Sequence, residues 1–138
     1  MANLQYTQSA TSTGAGRDGH IKGDGLIDMD TRPPMKKEPG TNPEALIAAG
    51  WAACFNGALQ LVMKKNNVDV EAQEPQVTAN VGLYSEGEGF QLGGEIVVTF
   101  KDKSAIPNAD EIVAQAHEFC PVSKLFRGDY VELSARVA

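Results

Sequence analysis

The sequence predicts a single α+β domain over residues 1–138, with antiparallel strand meanders around two helices, one of them long and buried. Three observations predict it. Short alternating segments separated by glycine-rich turns fill the chain from Leu4 to Asp30 and recur after Pro75. A long apolar helical run follows Thr41, and a second helical pattern follows Asn108. Two strands lie between these helices, so the order is not the βαβ alternation of a parallel sheet. With 138 residues, 42% of them hydrophobic, the chain can bury one core and is too short for two comfortable ones.

Leu4–Thr11 reads as the first strand and leads into the turn-prone run Gly14-Ala15-Gly16-Arg17-Asp18-Gly19. His20–Gly23 reads as the second, Asp24-Gly25 is a hairpin signal, and Leu26–Asp30 alternates as the third. Thr31–Gly40 carries three prolines, two lysines and one arginine, which makes it a polar connection or flap and not a strand. Thr41-Asn42-Pro43-Glu44 is a helix start: Thr41 as the cap, Pro43 in the first turn where amide hydrogens are orphaned, and Glu44 three residues after the cap as in a capping box. The helix is expected to run to about Asn66. From Ala45 to Phe55 it is apolar almost all round, which requires burial on every side. One small subunit can hardly cover such a surface, so a homodimer is expected.

Val77–Tyr84 and Phe90–Phe100 read as a long hairpin, the second strand placing Phe90, Leu92, Gly94, Ile96, Val98 and Phe100 on one face. Asn108 is the expected cap of a helix through Ile112, Val113 and Ala116 toward Phe119, which Cys120-Pro121 breaks or redirects. Tyr130–Val137, with Val131, Leu133, Ala135 and Val137 facing one way, reads as a closing strand.

Charge excludes some functions. The net charge of −6, with only the isolated basic doublets Lys36-Lys37 and Lys64-Lys65, argues against a nucleic-acid partner. The first residues lack the basic and apolar regions of a signal peptide, and the longest apolar stretch is interrupted by Gly50, Asn56 and Gly57. A cytoplasmic protein with no membrane partner is expected. In a reducing compartment the two cysteines are either buried thiols or redox-cycling groups, not a structural staple.

Cys54 lies mid-helix, about thirteen residues from the helix start and beyond the reach of the helix dipole, and burial would raise its pKa. A reactive Cys54 therefore needs a cation nearby; an inert buried thiol is the alternative. Cys120 precedes a proline at a helix-to-turn junction, where its thiol is free to move, or else it simply fills a helix end. Two separated thiols with no Cys-x-x-Cys suggest peroxide chemistry. Arg17 in its turn reads equally as a solvated charge, and Glu44 as a capping residue. Cys54, Cys120, His20 and His117 include zinc-ligand types but lack paired spacing, so no metal is expected. No Walker loop, dinucleotide fingerprint or serine-nucleophile motif is present, and no cofactor is expected.

Taken together, Gly16-Arg17-Asp18-Gly19, Asp24-Gly25-Leu26-Ile27-Asp28, Thr41-Asn42-Pro43-Glu44, Ala48-Ala49-Gly50-Trp51-Ala52-Ala53-Cys54-Phe55, Ala116-His117-Glu118-Phe119-Cys120-Pro121 and Arg127-Gly128 resemble the organic hydroperoxide resistance proteins. These belong to the wider osmotically inducible peroxidase superfamily. The resemblance runs in order over essentially the whole chain. It implies a cysteine-based peroxidase that reduces alkyl and lipid hydroperoxides, with Cys54 as the peroxidatic cysteine and Cys120 as the resolving one. Arg17 would activate the thiolate, Glu44 would orient Arg17, and a Cys54–Cys120 disulfide would be reduced by dihydrolipoyl groups on a carrier protein. Val122-Ser123-Lys124-Leu125-Phe126 departs from the Tyr-Ser-Asn-Ala-Thr frequent in that family, which bears on polar contacts there and on the substrate pocket. The competing class is a non-enzymatic, stress-induced binding protein of the same fold. Glu44 and Cys54 are ten residues apart, about 15 Å along one helix, so a shared arginine implies one of three arrangements. Either Arg17 and Glu44 reach Cys54 from the opposite subunit of an intertwined homodimer, or Arg17 bridges within one subunit, or the helix breaks near Gly50.

Overall fold

The computed structural model describes residues 2–138, which form two compact units divided between Ile47 and Ala48. The first unit is an antiparallel sheet of β1 (Ala10–Gly14), β2 (Gly19–Gly23) and β3 (Asp28–Asp30), in that order. Gly14 pairs with Gly19 across the first turn, and a Cβ added at Gly19 would lie 2.2 Å from the Thr13 carbonyl oxygen, so that position accepts only glycine. The expected hairpin at Asp24-Gly25 forms, closed by the Gly23 N–H donating to the Ile27 carbonyl at 2.8 Å. Thr31, buried at 3% exposure, ties the sheet to the turn that carries Arg17. Its hydroxyl donates to the Gly16 carbonyl at 2.6 Å and accepts from the Gly19 N–H at 2.9 Å.

The first strand begins at Ala10, six residues later than expected. Ala10 pairs with Gly23, the last residue of β2, and the chain then turns at Asp24. Ser9 still bonds Asp24, accepting its N–H at 2.9 Å, but Leu4–Gln8 has no ladder to join. Thr31–Gly40 contains a short 3₁₀ turn at Pro34–Lys36, and Arg32 within it meets Asp18, Asp30 and Glu38.

Helix α1 spans Pro43–Lys65 without a break at Gly50. Its cap is Asn42 and not Thr41: the Asn42 Oδ1 accepts the Ala45 N–H at 2.8 Å, with Pro43 as the first helical residue. The capping box does not form, because Arg17 engages the Glu44 carboxylate.

In the second unit Trp51, Phe55, Leu59, Val62 and Met63 recur at helical spacing along α1 and pack with Ile106, Ile112, Ala116 and Cys120 into one core. After the single turn α2 (Val70–Gln73), β4 (Gln76–Glu86) and β5 (Gly89–Thr99) form the long antiparallel hairpin, in register from Gln76↔Thr99 to Glu86↔Gly89. Gly87, at φ +56, makes its turn. The apolar face of β5 covers the core only in part: Ile96, Val98 and Phe100 pack against it, whereas Phe90 is 71% exposed. Helix α3 (Ala109–Phe119) stops where Cys120 takes an extended backbone ahead of Pro121, and α4 (Pro121–Phe126) then begins with that proline. The described residues therefore hold four α-helices where two are expected, the additional ones being the short α2 and α4.

Two expectations are corrected. Asn108 precedes α3 but does not cap it; its side-chain amide donates to the Asn66 Oδ1 at 3.1 Å. As expected, one chain does not cover the apolar run: of Ala45–Phe55 only Trp51 and Phe55 are buried, and Ala45, Ala49, Gly50 and Ala53 are exposed. By length and composition α1 also suits a membrane span, although its Trp51, Phe55 and Leu59 face packs in a protein core. Finally, Tyr130–Val137 is not a strand. No strand among the described residues pairs with it, and without a ladder partner its Val131 and Val137 side chains stand in solvent.

Leu59 is completely buried in the core. Leu59→Ala is expected to destabilise the protein by about 2–5 kcal/mol at fixed protein concentration, read by urea denaturation, and a loss below about 1 kcal/mol would contradict this core assignment.

Candidate active site

Arg17 and Glu44 meet in the first unit as a two-pronged ion pair. The Arg17 Nη2 donates to Glu44 Oε1 at 2.7 Å and its Nη1 donates to Oε2 at 3.2 Å. The turn pinned by Thr31 supplies the arginine, and the first turn of α1 supplies the glutamate. The fork fixes the guanidinium plane while leaving about half of the Arg17 side chain exposed, against 14% for Glu44. The bonded guanidinium holds the Glu44 carboxyl below the usual carboxylate range, against the opposing pull of burial. Beside this pair, His20 sits between two carboxylates, Nδ1 on Asp30 at 2.8 Å and Nε2 on Asp28 at 2.6 Å, which raise its pKa.

The second unit holds both cysteines as free thiols. Cys54, half-buried on α1, lies against Cys120, which is fully buried between α3 and α4. Burial pushes the Cys54 thiol up, the neighbouring Cys120 thiol adds to that, and the Val122 backbone N–H opposes it by favouring the thiolate. At its Pro junction the Cys120 sulfur accepts the Ser123 N–H at 3.5 Å and has no solvent exposure. The two thiols are already neighbours, so no large movement is needed to join them.

Sequence reasoning did not find what surrounds the thiols. Ser123, fully buried, accepts the Trp51 indole N–H at 2.9 Å and bonds the His117 Nδ1 at 3.0 Å. The Arg127 Nη1 donates to the His117 carbonyl at 2.7 Å. Trp51 in an apolar run reads as core, and a serine after Cys-Pro reads as a turn residue; only the fold brings them together, 72 residues apart. Beside them a cavity of about 370 Å³ is lined by Trp51, Phe55, Ile96, Val113 and His117, with Glu95 and Asp110. Among the described residues no three His, Cys, Asp or Glu side chains converge to hold a metal ion.

The sequence profile of the OsmC-like proteins matches residues 35–134. The chain is 44% identical over 128 residues to the organic hydroperoxide resistance protein OhrB of Bacillus subtilis, covering 90% of this chain and 92% of that protein. It is 42% identical over 140 residues to an organic hydroperoxide resistance protein-like 1 of Staphylococcus saprophyticus, with 98% and 96% covered. The crystal structure of the Bacillus subtilis OhrB superposes with a TM-score of 0.77 over 90% of this chain and 93% of that one, at 41% identity. An organic hydroperoxide resistance protein from Legionella pneumophila gives a TM-score of 0.78 at 35% identity, with 92% and 93% covered. The chain belongs to the OsmC-like protein family, and its mixed helices and antiparallel strands are that family's fold.

Because the Glu44 pKa is lowered by folding, the ion pair contributes stability that is present above the carboxyl's unfolded value near 4.5 and is lost as pH falls through the lower folded value. Glu44→Gln is expected to flatten that acid limb of the stability curve, read by urea denaturation between about pH 5 and pH 2. An unchanged limb would contradict the pairing.

Proposed function

We propose that the protein is a cysteine-based peroxidase that reduces organic hydroperoxides to alcohols. The observation that carries this reading is the adjacency of two free thiols, Cys54 half-exposed and Cys120 buried against it, in a chain whose curated relatives are named organic hydroperoxide resistance proteins. The Cys54 thiolate attacks the terminal oxygen of the hydroperoxide; an S–O bond forms, the O–O bond breaks, and the alkoxide leaves as the alcohol after taking a proton. The sulfenic acid on Cys54 is then attacked by the Cys120 thiolate, water leaves, and a disulfide joins the two. An outside dithiol of the dihydrolipoyl type, carried on a protein, restores both thiols by exchange. The apolar side chains around Cys54 favour alkyl and lipid hydroperoxides over hydrogen peroxide.

A thiol pushed up by burial is a poor nucleophile at neutral pH, and this chemistry needs a cation to lower it. Arg17 fills that role, with Glu44 fixing its plane. Continuity of α1 through Gly50 removes a helix bend as a way of bringing Glu44 toward Cys54. Of the two arrangements that remain, Arg17 bridging within one subunit or reaching across a dimer, we infer the second: an intertwined cytoplasmic homodimer with Arg17 and Glu44 of one subunit serving Cys54 of the other. The exposed Ala45, Ala49, Gly50 and Ala53 and the exposed Phe90 support a partner surface.

Cys54→Ser is expected to abolish turnover, while Cys120→Ser permits one oxidation and stalls. Mass spectrometry of Cys120→Ser after one equivalent of peroxide should find the oxygen on Cys54, and an unoxidised Cys54 would refute the assignment. Arg17→Ala is expected to slow the peroxide step by about tenfold or more, for a thiol pKa raised by about one unit or more, while sparing disulfide reduction. Equal stopped-flow oxidation rates in the two proteins would remove Arg17 from the mechanism. For the shared site, inactive Cys54→Ser mixed with the slowed Arg17→Ala under subunit exchange should recover up to about half of a wild-type dimer's activity; confirmed heterodimers no faster than Arg17→Ala alone would defeat that arrangement.

A further inference from the structure

The segment Val122-Ser123-Lys124-Leu125-Phe126, which departs from the pattern frequent in the family, forms α4 and packs on Trp51 of α1. The Trp51 indole N–H donates to Ser123 at 2.9 Å, and the Phe126 ring stands edge-on to the Trp51 ring, with the planes 80° apart and the centroids at 5.0 Å. Trp51 is a fixed platform. It is buried, and on its β5 side a Cβ added at Gly94 would lie 3.0 Å from its Cζ3. It precedes Cys54 by three residues on α1, so the two side chains are neighbours on one face of that helix, their Cβ atoms about 5–6 Å apart. Phe126 is propped on this platform without being covered by it, and remains 47% exposed. Val122, one turn earlier on the same face of α4, packs against the core, and Leu125 beside Phe126 is 43% exposed. The Arg127 guanidinium is drawn to the end of α3, where Nη1 donates to the His117 carbonyl at 2.7 Å and Nη2 to the Glu118 carbonyl at 3.4 Å. The open surface of α4 next to Trp51 is thus apolar and aromatic.

We propose that Phe126 is a specificity-determining residue for the peroxide step: its open ring packs on the hydrocarbon body of the hydroperoxide held at Cys54 and favours substrates that carry an aryl group there. This rests on reading Cys54 as the reacting thiol. An organic hydroperoxide brings one reacting oxygen and an apolar body, and with that oxygen at the sulfur the body lies against whatever borders the thiol. On the α4 side that border is Trp51 with Phe126 on it. The two rings already stand in the edge-to-face arrangement aromatic groups prefer. A third ring entering the corner between them gains the same kind of contact, whereas a methyl group gains only buried area. A phenylalanine propped on a fixed indole also loses little freedom when the substrate arrives. Hydrogen peroxide, with no hydrocarbon body, gains nothing from the corner.

The test compares two tertiary hydroperoxides that differ in one group, cumene hydroperoxide with a phenyl ring and tert-butyl hydroperoxide with a methyl in its place. The second-order rate constant for oxidation of the reduced, intact protein is measured with each, and their ratio is compared between the parent and its variants. Because both peroxides meet the same thiol, any change in Cys54 itself cancels in the ratio. Phe126→Ala is expected to lower the cumene to tert-butyl ratio by about threefold to tenfold, the worth of one aromatic contact, while Phe126→Tyr, which keeps the ring, stays near the parent ratio. A merely structural role slows both reactions alike. An unmoved ratio therefore overturns the proposal and leaves the ring to packing, within the chain or against a second copy. If Phe126→Ala does not fold, Phe126→Leu keeps an apolar side chain on Trp51, removes the ring and carries the same test, with a lowered ratio supporting the proposal and an unmoved one overturning it. Failure of the peroxidase reading is separate: it would appear as a parent protein whose Cys54 neither hydroperoxide oxidises.

Discussion

Burial of the Cys54 sulfur on a core helix is the constraint from which the rest of the site follows. The helix needs its Trp51, Phe55 and Leu59 face packed, and Cys54 sits beside that face. Its thiol is consequently pushed up, away from the thiolate a nucleophile requires. In the proposed mechanism two groups work against that cost: the Val122 amide favours the anion locally, and the guanidinium of Arg17, kept charged and oriented by Glu44, supplies the cation.

In the proposed mechanism the two halves of the chain prepare different parts of the chemistry. The first unit, with three strands, two tight turns and a buried threonine, holds one arginine in one plane. A lysine in its place would keep the charge and lose the paired hydrogen bonds to Glu44 that fix its direction. The second unit presents two sulfurs side by side in an apolar setting, with a short helix donating to the buried one. The proposed dimer brings these parts together, and the apolar surface left open on α1 and β5 is consistent with that assembly.

Periodicity made the regular elements legible. The β4–β5 hairpin, the long α1 and the stop at Cys120-Pro121 all follow from spacing, proline and glycine chemistry. Caps were less legible, because several polar residues stand near each helix start and tertiary partners decide among them: Arg17 engages Glu44, Asn66 engages Asn108, and Asn42 is left to cap. The closing strand was over-read, since alternation in Tyr130–Val137 states a capacity to pair and not the presence of a partner. In the site, Arg17, Glu44, Cys54 and Cys120 stand out through their resemblance to a known pattern. The buried Ser123 does not, because a hydroxyl shared by a tryptophan and a histidine 72 and 6 residues away leaves no local signature.

The central claim is that Cys54 and Cys120 form one redox pair driven by organic hydroperoxide. It is tested most directly by counting free thiols before and after one equivalent of cumene hydroperoxide, then again after adding dihydrolipoamide. The account predicts two thiols, then none, then two again. A count that stays at two throughout would contradict it and favour a non-enzymatic binding protein of the same fold.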